Sequence, residues 1–133
     1  MKIYDKIKIK RGIELEDIFG KPLSALVVFT FAIKHLRDRA LEIVLKSKLD
    51  LKENHIQWMR TIPAIFSDSA RQFMREASTN AGILPTNLRL VLEHEAAVLY
   101  SKPRIMIEDI PCGFQYVLAD LGGGTSDIWV HKT

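Results

Sequence analysis

The amino-acid sequence predicts an α/β fold, and three observations carry that expectation. Segments of helical spacing, at residues 23–48, 68–81 and 93–100, alternate with short apolar or period-two segments at 55–62, 88–92 and 116–119. Alternation of this kind places helices on the faces of a sheet. Proline, glycine and capping residues stand at the boundaries between these segments, where such residues end or start elements. The 133 residues are enough for one small domain with its own core and too few for two.

The elements are justified in order. Lys6-Ile7-Lys8-Ile9-Lys10-Arg11 alternates with period two, as on a strand with one wetted face. Gly12 to Asp17 reads as an acidic turn region, and Gly20-Lys21-Pro22 as a break. From Leu23 to about Lys48, Leu26, Thr30, Ile33, Leu36, Ala40 and Val44 recur at helical steps, with Lys34, Arg37, Asp38 and Lys48 outside. Pro22 suits a first helical turn and Ser24 a cap, so this is a long helix laid over a sheet. His55 to Ile62 alternates and is rich in β-formers, and Pro63 closes that strand because proline cannot donate to a ladder. Ser67 and Asp68 cap a second helix whose apolar residues are Ala70, Phe73, Met74, Ala77 and Ala81, and Gly82 ends it. Leu88 to Leu92 is a short buried strand, followed by a helical stretch from Glu93 to Tyr100. Residues 101–115, with Pro103, Pro111 and Gly113, form an irregular connection. Tyr116 to Ala119 is apolar throughout and reads as a central strand, and Ser126 to His131 returns from the turn that follows.

Composition narrows the function classes. The longest uncharged apolar run, Leu23 to Ile33, is interrupted by Ser24 and Thr30 and falls far short of the roughly 20 residues that span a bilayer. The start of the chain lacks the pattern of a secretory signal, and Cys112 is the only cysteine, so a cytoplasmic protein is expected, with no membrane partner. The net charge of +3 is uneven: residues 1–60 hold 13 Lys/Arg against 8 Asp/Glu, and residues 61–133 hold 6 against 8. The basic stretch at 6–11 has no interleaved aromatic residues for base stacking, so a solvated strand face is preferred to nucleic-acid binding.

Three segments carry chemistry. Asp120-Leu121-Gly122-Gly123-Gly124-Thr125-Ser126-Asp127 lies between two strands. Three glycines remove every Cβ from the turn, so backbone N–H groups can nest around a phosphate, and Thr125 adds a hydroxyl. Asp120 and Asp127 flank the turn and suit a hydrated Mg²⁺, which takes few carboxylates and keeps its waters. The plainer reading is a hairpin turn whose glycines permit positive φ. Neither GxxxxGK[ST] nor GxGxxG is present. Glu93-His94-Glu95 follows an apolar strand directly, at the carboxyl edge where α/β ligands bind. Glu93 either orients an attacking water or favours the helix N-terminus through its dipole, and His94 reads as exposed. Pro63 closes a strand before the capped helix that carries Arg71 on its first turn; Arg71 either pairs with an acidic group or stands in solvent.

Together these segments resemble a family. Ile-Pro-Ala-Ile-Phe-Ser-Asp-Ser-Ala-Arg-Gln (62–72), Leu-Glu-His-Glu-Ala-Ala (92–97) and Asp-Leu-Gly-Gly-Gly-Thr-Ser-Asp (120–127) look like the nucleotide-binding domain of the 70-kDa heat-shock proteins. Phe73-Met74-Arg75-Glu76-Ala77 and the long leading helix look most like its divergent 12A/12B branch. The resemblance covers about residues 13–133 and implies a fragment of an actin-like, ribonuclease-H-like ATPase domain: a helix-flanked mixed sheet with a terminal β-hairpin. On that reading, residues 1–133 are one partial domain, with 1–115 from the first lobe and 116–133 opening the second half.

The resemblance implies ATP/ADP and Mg²⁺ as ligands, with client or co-chaperone proteins as partners of the parent chaperone. Gly122, Gly123, Gly124 and Thr125 would contact the β- and γ-phosphates. Asp120 and Asp127 would act around Mg²⁺ and the lytic water, Glu93 would help orient that water, and Pro63 and Arg71 match a proline switch and an arginine relay. Two departures stand out: the family has Glu-Pro where this chain has Glu93-His94, and no first phosphate loop, catalytic lysine or adenosine motif is found. The chain alone is therefore expected to be inactive. The alternatives are a degenerate nucleotide-binding or protein-interaction module without turnover, and another actin-like ATPase such as a sugar kinase, whose acidic sugar-hydroxyl base is not found.

Overall fold

Capping and turn chemistry decide most of the boundaries in the computed structural model, which describes residues 12–47, 52–101, 111–123 and 126–132. The basic segment at 6–11, Gly124 and Thr125 lie outside the described residues. The chain divides into two units, residues 1–90 and 91–133, with the boundary inside one strand.

The first unit opens with a small hairpin. β1 (Glu14–Glu16) pairs antiparallel with β2 (Pro22–Ser24), so the expected acidic turn and first helical turn are instead strands. The turn between them is tied by Asp17, whose Oδ1 accepts hydrogen bonds from the Phe19 and Lys21 amides at 2.8 and 2.9 Å. Gly20 supplies the positive φ of 79° that this turn requires. Pro22 is tolerated because a proline at the first position of a short edge strand forfeits little pairing.

α1 (Ala25–Ser47) then runs for 23 residues. Its inward stripe passes through Ala25, Phe29, Ile33 and Arg37, not through Leu36 and Val44, which are exposed. The expected stripe fails at Arg37, whose side chain is only 14% exposed because its guanidinium is taken up by Asp38 and Glu53. Lys34 and Asp38 do lie outside, paired at 2.6 Å.

A 3-10 turn at Glu53–His55 replaces the expected start of the next strand, held by Asn87, whose Nδ2 donates to the Asn54 and Ile56 carbonyls at 3.0 Å. β3 (Trp58–Ile62) follows and pairs with β4 (Leu88–Leu92). Between them α2 (Asp68–Asn80) begins as the sequence predicts, with the Ser67 side chain accepting from the Ala70 amide at 3.3 Å. Its five expected apolar residues are all buried. α2 packs against α1, and Phe73 meets Phe29 edge to face with ring centres 5.6 Å apart. Gly82, at φ 92°, ends the helix, and the Gly82 and Ile83 amides cap the Thr79 and Ser78 carbonyls.

In the second unit α3 (Glu93–Ser101) starts where β4 stops, and β5 (Gln115–Leu121) pairs antiparallel with β6 (Ser126–Lys132). The expected central strand at Tyr116–Ala119 is thus one arm of a two-stranded hairpin among the described residues. Val117, Leu121, Ile128 and Val130 are 63–72% exposed, so its apolar composition does not reflect burial on both faces. The α/β expectation holds in the coarse sense of small sheets and helices; in place of one mixed sheet there are three two-stranded sheets among the described residues. No helix among the described residues is long and apolar enough to cross a membrane.

Candidate functional site

The second unit assembles its carboxylates through two local rules. The first is the direct passage from β4 to α3, which puts Glu93 at the first helical position, immediately after the strand end. The second is hairpin register. Cross-strand partners share a face, so Asp120 opposite Asp127 places both carboxylates on one side of the ribbon. Leu118–Trp129 and Tyr116–His131 continue that face away from the turn.

The two rules converge. Burial raises the Glu93 carboxyl above the usual glutamate range, and the negative charges of Asp127 and then Asp120 raise it further. The three acidic residues expected to do chemistry are therefore brought into one electrostatic neighbourhood. Among the described residues, no three His, Cys, Asp or Glu side chains come together to hold a metal ion directly. Two facing aspartates instead suit a cation that keeps its water shell, as Mg²⁺ does.

The glycine turn closes the same end of the hairpin. A Cβ built on Gly123 would meet nothing within 4 Å, and Gly123 does not adopt positive φ. Neither close packing nor left-handed backbone explains a glycine there, whereas an open backbone can receive an anion. Gly122 is exposed beside it.

His94 differs from expectation. It is 9% exposed rather than standing in solvent, and its ring stacks on Trp129 with centres 4.8 Å apart and planes at 26°. His131 lies 5.3 Å from His94, and Tyr116 stacks on His131 at 5.3 Å and 14°. Sequence reasoning missed this ring cluster. The available signal was the two-residue spacing of Asp127, Trp129 and His131, which puts an acid and two rings on one strand face.

Pro63 and Arg71 lie in the first unit. The Pro63 carbonyl accepts from the Phe66 amide at 3.2 Å, and the Arg71 Nε donates to the Phe66 carbonyl at 3.2 Å. Arg71 thus fastens the loop before α2 to the helix itself, where the sequence suggested either an acidic partner or solvent.

Comparison with known proteins bears out the resemblance drawn from the three motifs. The chain is 27% identical to human heat shock 70 kDa protein 12B, an alignment that covers 99% of this chain and 27% of that protein. It is 34% identical over 107 residues to mouse heat shock 70 kDa protein 12A and 32% identical to the human form, covering 77% of this chain and 16% of each. The chain thus spans about a sixth to a quarter of the length of these relatives. No family model and no solved structure matches it.

Proposed function

We propose that this heat-shock-70-like chain, similar over most of its length to heat shock 70 kDa proteins 12A and 12B, is part of an ATP-binding and ATP-hydrolysing chaperone domain of the actin-like type. The observation that carries the reading is the convergence of Glu93 with Asp120 and Asp127 beside an open glycine turn. Convergent like charges are costly, and a fold retains them where a cation and a phosphate chain offset them.

In this reading Gly122, Gly123, Gly124 and Thr125 bind the β- and γ-phosphates through backbone N–H groups and a hydroxyl. Asp120 and Asp127 would hold Mg²⁺ through water, and the bound ion would supply neutralisation of phosphate charge. Glu93 accepts a hydrogen bond from the attacking water and points a lone pair of its oxygen at the γ-phosphorus. Its raised proton affinity makes it a better hydrogen-bond acceptor than an ordinary surface glutamate. Catalysis then comes mainly from positioning and charge neutralisation, as in other phosphoryl transfers. Pro63 and Arg71 relay nucleotide state toward the rest of the parent chaperone, where client or co-chaperone proteins bind.

The test pairs nucleotide affinity with single-turnover hydrolysis in a longer parent that supplies both walls of the site. Glu93→Gln should leave affinity nearly unchanged and slow hydrolysis on the order of 10²-fold or more. Gly123→Val should weaken binding itself. Hydrolysis by Glu93→Gln at the parental rate would remove the catalytic assignment and favour a binding module without turnover.

A further inference from the structure

The start of α3 meets β6 through rings. His94, the second residue of the helix, is buried and stacks on Trp129, and His131 and Tyr116 extend the cluster along the same hairpin face. Tyr116 and His131 are cross-strand partners, and Trp129 sits two residues from His131 on β6. The His94 Nδ1 and the His131 Nε2 are buried without a hydrogen-bond partner, so at those atoms the contact between the elements is ring packing and not polar bonding.

The placement of these rings relative to the carboxylates gives them a task. Glu93 immediately precedes His94, and Asp127 precedes Trp129 by two residues on the same face of β6, opposite Asp120. A glutamate at the first position of a helix has a flexible side chain and a solvated alternative. Repulsion from two aspartates drives it toward that alternative. Something must hold the helix start against the hairpin, and the stack of His94 on Trp129 joins the two backbones within two residues of both acids.

We propose that His94 is a positioning residue, which by stacking on Trp129 holds Glu93 against the Asp120–Asp127 pair. The inference rests on the carboxylate reading above only for its consequence for hydrolysis; the placement itself is tested without nucleotide. A proline at the same position would stiffen the helix start by fixing φ. Here a ring contact to β6 provides the restraint, and it fixes the helix to the strand that carries Asp127.

The experiment is a double-mutant cycle on the 133-residue chain at neutral pH, read as amide-exchange protection of the β5–β6 ladder. With His94 present, Glu93→Gln relieves repulsion and should slow exchange on the order of two- to fivefold, the scale of one like-charge contact. In a His94→Ala background the carboxylate has already swung away, and the same change should have no effect. His94→Phe keeps a ring over Trp129 and should restore the response. A role confined to packing gives additive effects, so equal slowing by Glu93→Gln in the His94→Ala background overturns the proposal. Should His94→Ala abolish protection outright, the His94→Phe background decides: a retained response supports positioning by the ring, and a lost response overturns it. In a longer parent, His94→Ala should slow hydrolysis at unchanged nucleotide affinity. A parent that binds no nucleotide would count against the proposed function, while the cycle would still decide whether His94 positions Glu93.

Discussion

Replacing Asp127 with asparagine removes one charge from a pair that the hairpin register sets face to face. Directly opposed residues on adjacent strands have Cβ atoms about 5 Å apart. Two unit charges at roughly 5.5 Å in water repel by about 0.8 kcal/mol, and a Debye length of about 8 Å at physiological salt reduces that to roughly 0.4. Both aspartates are exposed, so the aqueous figure applies. Glu93, raised first by burial and then by the same charges, adds a repulsion of the same sign. Asp127→Asn should therefore stabilise the β5–β6 hairpin by about 0.5–1 kcal/mol, the upper range for a like-charge cross-strand contact. Amide-exchange protection of the ladder measures it. The gain should shrink in 1 M salt, where the Debye length is about 3 Å. Millimolar Mg²⁺ should protect the wild-type ladder and leave the variant largely unaffected. A loss of protection in Asp127→Asn at low salt, or a gain that persists in 1 M salt, would refute the reasoning that these acids are held together against their charge.

Three further outcomes are expected. Gly82→Ala forces a side chain into positive φ and sets a Cβ 3.4 Å from the Arg37 guanidinium carbon, so urea denaturation should show a loss of about 1–2 kcal/mol in the first unit. Phe73→Ala removes a buried ring that meets Phe29 edge to face and should cost about 3–5 kcal/mol by the same assay. The Glu93 carboxyl is raised in the folded unit, so its contribution to stability is fully present below about pH 4.5 and is lost as pH rises through the folded value. The difference in ladder protection between Glu93→Gln and wild type should therefore be largest at neutral pH and vanish in acid.

Local chemistry made much of the chain legible. Ser67 reads as a cap and is one, and Phe73, Met74 and Ala77 read as a buried stripe and are buried. Glu93 reads as a junction carboxylate because an apolar strand ends one residue earlier. What escaped depended on partners far along the chain. Arg37 reads as solvated, since nothing near it announces Glu53 as an ion partner or Gly82 as the floor it lies over. His94 reads as exposed because Trp129, the ring that covers it, lies on the last described strand. Leu118 and Val117 read alike as core, yet Leu118 is half-buried on the face it shares with Trp129 and Val117 on the other face is bare, a distinction set by register and not by hydrophobicity. The family resemblance, by contrast, was legible because each of the three motifs is specified within a dozen residues, and similarity to the relatives over most of the chain bears that resemblance out.

The cost of the carboxylate arrangement bears on what the second unit is for. A hairpin selected for stability alone would place a cation, or a neutral residue, opposite Asp120, and would let Glu93 turn to water. This hairpin sets Asp127 there instead, and draws Glu93 into a partly buried position where its charge is disfavoured. Its turn also carries a glycine at 123 that neither packing nor backbone conformation requires. Each feature lowers stability or gains nothing for it; Asp120, Asp127 and Gly123 fall at one end of one ribbon, and Glu93 of α3 feels the charges of that end. In the proposed function, a phosphate chain with its hydrated cation would offset all of these costs at once: the cation would neutralise the aspartates, the phosphates would occupy the open glycine backbone, and the attacking water would donate a hydrogen bond to the Glu93 carboxylate. A pure protein-interaction surface accounts for exposed Val117 and Val130, but it gives no reason for opposed acids beside an open turn.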